Sequence, residues 1–469
     1  MLMTSFDSLK LRAELIEALA WIDYTETTPI QAAALPVMLR GHDVTGQAKT
    51  GSGKTAAFGL ALLNTVRSDE NETQSLVLCP TRELADQVAA ELRRLARKMS
   101  NTRVLVLCGG RPIRTQTLAL AHGNHIVVGT PGRVGQLVRK GKLDLRALKV
   151  LVLDEADRML DMGFSEQVIE IVERCPADRQ TLLFSATLDD TIEAFSHQVQ
   201  RQPRRVSVES QATPDRLVQK VFECGMGSRR QLLVDVLAKF RPSAALLFCE
   251  TRNDCDAVAA FLNERGAVAL ALHGQMEQRD RDETLIQFGH QSASILVATN
   301  VAARGIDIPA LPMVVVTELS KDPESHLHRV GRTGRAGQEG IAISLVEPRE
   351  ENRLRRVESF LGVSLERDSA PRFEGRLDFL APPNRTLILM AGRKDKLRKG
   401  DILGALVKDA GLPPDAVGRI DLMPRRCAVS VSRDFAQQAL RHFQTGRVKR
   451  RQIRACLLSV SRRGWGGSA

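Results

Sequence analysis

Lys54 and Thr55 close the run AKTGSGKT at 48–55, and the carboxylates of DEAD at 154–157 follow an uninterrupted apolar stretch. Glycines, a lysine and a hydroxyl at these intervals are what a polyphosphate needs. Gly51 and Gly53 let the backbone close, main-chain amides and a helix N-terminus face the anion, Lys54 reaches the outer phosphates, and Thr55 offers a hydroxyl to Mg²⁺. The run departs from the phosphate-loop pattern only at Ala48, where a small residue suffices. Ala48, Lys49, Thr50, Gly51, Ser52, Gly53, Lys54 and Thr55 are therefore the candidate nucleotide contacts. Asp154 is placed for Mg²⁺, directly or through water, and Glu155 is the candidate to orient and deprotonate an attacking water. A separate run, HRVGRTGR at 328–335, offers Arg332 and Arg335 as arginine fingers, a role worth about 10³ to 10⁵ in rate. Two arginines three residues apart could equally form a solvated helical face, but Gly331 and Gly334 weaken a helix and favour close approach to a phosphate.

These groups need rigid elements to hold them. The spacing predicts a short strand over 43–47 and a helix over 56–63 around the phosphate loop, and a buried strand over 150–153 that delivers the carboxylates to the ligand edge of a parallel sheet. Apolar runs SLVLCP, RVLVLCGG, HIVVGTP, VLVLDE and TLLFSAT alternate with helical patterns, among them a helix over 82–99 with apolar residues every three or four positions. That alternation predicts a parallel sheet covered on both faces. A second series, ALLFCET, VALALHG, SILVATN, MVVVTEL and IAISLVE, repeats the pattern without a phosphate loop. The last segment reads strand 386–390, helix 400–410, strand 417–422, strand 427–432, helix 434–443 and strand 453–458, a βαββαβ order. The fold class is thus α/β, two parallel-sheet domains in tandem that resemble RecA-like domains, plus a C-terminal α+β domain that resembles an RRM. The expected boundaries are 1–208, a hinge at 209–216, 217–366, a linker at 367–384, 385–459, and a tail at 460–469.

With SAT at 185–187, PTREL at 80–84 and TPGR at 130–133, all in family order, the chain from about residue 6 to 346 resembles the DEAD-box RNA helicases. The resemblance implies ATP as cofactor with Mg²⁺, and RNA as partner. It implies a stacking ring at Phe6, adenine reading by Gln31, ribose contact by Asp307, and coupling between domains through Ser185, Thr187 and His328. Gln31 has the bidentate amide that an adenine edge requires, although it could simply cap the helix that follows. Contacts to the RNA sugar-phosphate backbone are implied at Arg82, Gly110, Thr130 and Arg133 in the first domain, and at Thr251, Gln278, Arg281 and Thr299 in the second. Asp23 stands where the family has glycine, and Asn300 where relatives often have Asp.

Composition agrees with three compact units: 469 residues with 43% hydrophobic content. Net charge is +12, and its distribution says more than its size. From Ala370 onward there are 21 Lys and Arg against 8 Asp and Glu, whereas the first 369 residues hold 46 against 47. The attraction for a polyanion is therefore concentrated at the C-terminal end. Eight scattered cysteines without metal-ligand spacing read as reduced core thiols of a cytoplasmic protein. No apolar run approaches the ~18 residues of a membrane span.

The strand CAVSVSR lacks the aromatics with which an RRM stacks bases, so RNA contact there must use another surface. Arg393, Lys394, Lys396, Arg398 and Lys399 in one loop, Arg425 with Arg426 in another, and Arg447, Lys449, Arg450 and Arg451 in a third are the candidates. The segment LILMAGRKDKLRKGDILGALVKDAGL resembles the DbpA subfamily, which implies a hairpin of large-subunit ribosomal RNA and pre-ribosomal particles as partners of a monomeric helicase. A basic domain binding any RNA is the alternative, since phosphate attraction by itself carries no sequence choice. Two rival functions are a non-enzymatic, ATP-dependent RNA clamp or assembly scaffold and a DNA helicase of the same superfamily.

Overall fold

A computed structural model describes residues 5–48, 51–208, 217–303, 311–334, 339–446, 448 and 452–459, and only the backbone at 301, 303, 324 and 328. Lys49, Thr50, Asp307, Arg335, Arg447, Lys449, Arg450, Arg451, the expected hinge at 209–216 and the expected tail at 460–469 lie outside the described residues, as does the side chain of His328. The chain divides into two compact units.

The first unit is built on strands β1 (Val44–Gln47), β2 (Ser75–Leu78), β3 (Val104–Leu107), β4 (Ile126–Gly129), β5 (Val150–Asp154), β6 (Gln180–Ser185) and β7 (Arg204–Ser207). They form one parallel sheet in the order β3-β4-β2-β5-β6-β1-β7. Strands β2, β4, β5 and β6 are buried on both faces, which is why they read as continuous apolar runs rather than alternating ones. Alternate residues feed two cores: Val77, Val152 and Phe184 pack with Phe58 on one side, and Leu76, Leu151 and Leu183 pack with Val168 on the other. The helix expected over 82–99 spans Arg82–Leu95, capped by the Thr81 hydroxyl, and tightens into a 3₁₀ turn at Ala96–Lys98.

The second unit repeats the design with β8 (Leu217–Glu223), β9 (Ala245–Cys249), β10 (Ala269–Leu272), β11 (Ile295–Thr299), β12 (Met313–Val316), β13 (Gly340–Val346) and β14 (Glu366–Asp368). They too are parallel, in the order β10-β11-β9-β12-β13-β8-β14. Part of the segment 367–384, expected as a linker, belongs to this sheet. Asp368 is held by Lys220 at 3.1 Å and Lys239 at 2.8 Å, and Leu377 and Leu380 are buried with Phe222 and Leu247 in this unit's own core.

The same unit carries an antiparallel sheet of β15 (Asn384–Leu389), β16 (Val417–Leu422), β17 (Cys427–Ser432) and β18 (Ala455–Leu457) in the order β16-β17-β15-β18. Its helices are Lys399–Gly404, which widens into a π turn at Ala405–Asp409, and Ala436–Thr445. The order βαββαβ is the one read from sequence. Leu387, Leu389, Val429 and Val431 face the helices with Ile402, Leu406 and Phe443. The opposite face of β15 and β17 meets the second RecA-like domain. Thr386 Oγ1 lies 2.7 Å from Ser292 Oγ, Ser430 Oγ donates to the His290 carbonyl at 2.8 Å, and His290 Nε2 lies 3.1 Å from Asp421 Oδ2 on β16. Ala428 and Ser430 are consequently buried, and the surface on which an RRM would stack bases is enclosed by protein.

All eight cysteines are unpaired thiols, five of them buried. No helix among the described residues is long and apolar enough to cross a membrane.

Candidate nucleotide and RNA sites

The phosphate loop hangs between β1 and the helix Lys54–Thr65. Ala48 N donates to the Ser185 carbonyl at 3.1 Å, fixing the loop's entry against β6. Gly53 caps the helix at φ +92°, a left-handed conformation that a side chain resists and that turns the chain into the first helical turn. Lys54 is buried at that N-terminus, and its charge acts on Asp154. Thr55 is half-buried beside it.

Asp154, at the end of β5, is buried, and its Oδ1 has no hydrogen-bond partner. Burial pushes its carboxyl up to about 6, against the opposing pull of Lys54 and with a further push from Glu155. An acceptor that is desolvated, unsatisfied and beside a second carboxylate is what a divalent cation stabilises, so Asp154 fits Mg²⁺. Among the described residues no group of three or more His, Cys, Asp or Glu is gathered. Thr55 would share such a cation with Asp154.

Glu155 sits at φ +54°, a strained turn for a residue with a side chain. Its Oε2 is 2.6 Å from Arg158 Nη1, and both side chains are sealed, 6% and 4% exposed. Asp157 Oδ2 accepts from Ala186 N at 3.0 Å, and Thr187 N donates to Ser185 Oγ at 3.4 Å, so the DEAD and SAT runs are tied directly. Neither Asp157 nor Arg158 was singled out by sequence. Their signal was only position, a third carboxylate at the end of the acidic run and a cation one helical turn after Glu155.

Gln31 lies on the helix Pro29–Met38 and is buried. Its Oε1 accepts from Thr28 N at 2.8 Å and its Nε2 donates to the Gly53 carbonyl at 3.1 Å, while Thr28 Oγ1 donates to the Ser52 carbonyl at 2.8 Å. The capping role is thus the one this conformation displays, and it fastens the phosphate loop. Phe6 is buried in the first core with Leu15 and Ile30.

The expected RNA contacts gather at the carboxyl edges of the two parallel sheets. After β2, β3 and β4 come Arg82, Gly110, Thr130 and Arg133. The Arg82 guanidinium covers Gly110, at φ +72°, so closely that a Cβ there would overlap it, and Arg133 Nη1 donates to the Arg111 carbonyl at 3.0 Å. At the ends of β9, β10 and β11 come Thr251, Gln278, Arg281 and Thr299. Thr251 Oγ1 accepts from Asp254 N at 3.2 Å, Gln278 Nε2 donates to Asp282 at 2.9 Å, and Arg281 Nη1 donates to the His273 carbonyl at 3.2 Å. Arg332 is buried just after the helix Pro323–Val330.

In the C-terminal domain two basic loops lie side by side. Arg393 N donates to the Met423 carbonyl and Lys394 N to the Pro424 carbonyl, each at 2.9 Å, and Arg393 Nε donates to the Leu422 carbonyl at 3.0 Å. Arg393, Lys394, Lys396, Arg398, Lys399 and Arg425 are exposed there. Arg426 turns away, its Nη1 3.1 Å from Glu283 Oε1 of the second RecA-like domain, so it serves docking in this structure.

Comparison with known proteins agrees with this architecture. Residues 28–195 match the DEAD/DEAH box helicase model, 228–337 the helicase conserved C-terminal domain, and 386–456 the DbpA RNA binding domain. The chain is 47% identical over 457 residues to the ATP-dependent RNA helicase DbpA of Escherichia coli (strain K12), covering 97% of this chain and 100% of that one. It is 35% identical over 474 residues to DbpA of Bacillus subtilis (strain 168), covering 96% and 99%. Among solved structures, S. cerevisiae Dbp5 bound to RNA and ADP BeF3 superposes with a TM-score of 0.71 at 30% identity, covering 78% of this chain and 95% of that one. Mss116p bound to ssRNA and AMP-PNP gives 0.72 at 27% identity, covering 80% and 81%. With both parallel-sheet domains, the phosphate loop and the C-terminal domain matched in order, the chain belongs to the DEAD-box family of ATP-dependent RNA helicases.

Proposed function

We propose that this helicase is an RNA-stimulated ATPase that separates short RNA duplexes locally, and that its substrate is large-subunit ribosomal RNA in assembling particles. The observation that carries the substrate choice is the pair of exposed basic loops around Arg393 and Arg425, presented by a domain whose sheet face is enclosed by the second RecA-like domain. A hairpin held by those loops is thereby tethered to the second RecA-like domain.

In this reading Lys49, Thr50, Ser52 and their glycine neighbours cradle the phosphates, Lys54 neutralises them, and Phe6, Gln31 and Asp307 select and hold ATP. Reading adenine requires Gln31 to exchange its present partners for the base edge. Thr55 and Asp154 would hold Mg²⁺, which supplies charge neutralisation when bound. Glu155 orients and deprotonates the attacking water, and Arg332 and Arg335 stabilise charge on the departing phosphoryl group. Ser185, Thr187 and His328 pass the state of the nucleotide to the RNA contacts. ATP and RNA together close the core, the bent strand loses its partner, and hydrolysis releases it. The enzyme acts as a cytoplasmic monomer.

The test is ATP turnover measured with a panel of ribosomal RNA fragments, unrelated RNAs of equal length, and matched DNA. One large-subunit fragment is expected to reach half-maximal stimulation at about tenfold lower concentration or less than the others. Equal stimulation by all RNAs would sink the ribosomal preference, and equal stimulation by DNA would favour the DNA-helicase reading.

A further inference from the structure

Arg329 is the largest fully buried side chain among the described residues, 1% exposed. It sits on the helix Pro323–Val330, three residues before Arg332. Its guanidinium bonds to three separate segments: Nη2 to Glu250 Oε1 at 2.5 Å, Nε to Asn300 Oδ1 at 3.1 Å, and Nη1 to the Glu318 carbonyl at 2.9 Å. Those segments follow β9, β11 and β12, which are neighbours in the sheet. Its cation also lies over the Phe248 ring, 5.8 Å from the centroid.

A guanidinium so enclosed has lost its water and needs a full counter-charge. Asn300 offers only a neutral oxygen, so the carboxylate bonded to it is that of Glu250. His326, on the same helix, does not add to the positive charge, because burial and then the Arg329 charge push it down to about 4. Glu250 precedes Thr251 and Asn300 follows Thr299, two of the proposed RNA contacts.

We propose that Arg329 is a positioning residue that ties the RNA-contacting ends of β9 and β11 to the segment bearing Arg332, with Glu250 supplying the charge that Asn300 lacks. The inference rests on the proposed roles of Thr251, Thr299 and Arg332. RNA that fixes the two threonines fixes Glu250 and Asn300 with them, and the planar fork hands that register to the arginine one helical turn away. Glu250 and Asn300 meet different nitrogens of one delocalised cation, so the charge can be moved from one site to the other.

The full-length Glu250→Gln, Asn300→Asp and combined variants test this through RNA titrations of ATP turnover. Glu250→Gln is expected to lower maximal RNA-stimulated turnover about tenfold and to raise the RNA concentration for half-stimulation about fivefold. Adding Asn300→Asp is expected to return both values to within about twofold of the parent, since the carboxylate is isosteric with the amide it replaces. Arg329→Lys, a point charge without the fork, is expected to stay impaired. Parental kinetics in Glu250→Gln, or a combined variant as impaired as Glu250→Gln, would overturn the proposal. An Arg332→Ala control separates the two readings: parental RNA-stimulated turnover there refutes the finger role itself, whatever the charge exchange does.

Discussion

Glu155 and Asp154 are adjacent in sequence yet differently held, and the difference follows from their partners. Asp154 has an unsatisfied oxygen and a carboxyl raised by burial, whereas Glu155 is locked to Arg158 inside the protein. Glu155→Gln keeps the shape and a weaker bond to Arg158 but removes the base. Turnover is expected to fall by about 10² or more while ATP and RNA binding stay within about twofold of the parent, as measured by single-turnover hydrolysis and equilibrium titration. Unaltered turnover would remove Glu155 from its role. The same change leaves Arg158 buried without a counter-ion, so the variant is expected to lose about 3 kcal/mol in stability, read from denaturant midpoints. Asp23 shows how a departure in sequence becomes intelligible in structure. It occupies φ +58°, a left-handed turn that glycine enters freely and that Asp tolerates better than most residues.

At the level of elements, the proposed catalytic and RNA-binding groups stand at the carboxyl ends of parallel strands because each strand there hands over to a loop or a helix N-terminus. One close approach at these edges is between the loop after β3 and the first residue of the helix Arg82–Leu95. Gly110→Ala would force a side chain into a left-handed backbone and onto the Arg82 guanidinium. Displacing that cation is expected to raise the RNA concentration for half-stimulation about tenfold, the loss of one charge-assisted hydrogen bond, while the ATP concentration for half-saturation changes by less than about twofold. If RNA binding is unchanged, Arg82 does not hold RNA from this position. The phosphate loop was legible in sequence because strand, loop and helix are contiguous and the residue spacing is itself the geometry. Gln31 was not fully legible, because its choice between capping and base reading depends on the carbonyl of Gly53, which only the fold brings near.

For the whole molecule, the tandem parallel sheets and the βαββαβ order were readable because burial on two faces, alternation and helical period each leave a local pattern. The docking of the C-terminal sheet left none. Its absence of aromatics was visible in sequence, but only the structure shows that Thr386 and Ser430 bond to Ser292 and His290 of the second RecA-like domain. Ser430→Arg would place a cation on that enclosed face. The variant is expected to undock the domain, enlarging the radius of gyration by small-angle scattering, and to keep ATP turnover on generic RNA while losing preference for a ribosomal fragment. A preference retained with the domain undocked would show that tethering does not set substrate choice. Sequence by itself determined the helicase family, the two sheets and the basic C-terminal end, since those depend on short spacings and on composition. Only the tertiary structure decided that Arg158 restrains Glu155, that Arg329 is held by Glu250 and Asn300, and that the third sheet is covered. Buried charge pairing and face-to-face packing depend on which surfaces meet, and for Arg329 and the third sheet the residues that meet stand far apart along the chain.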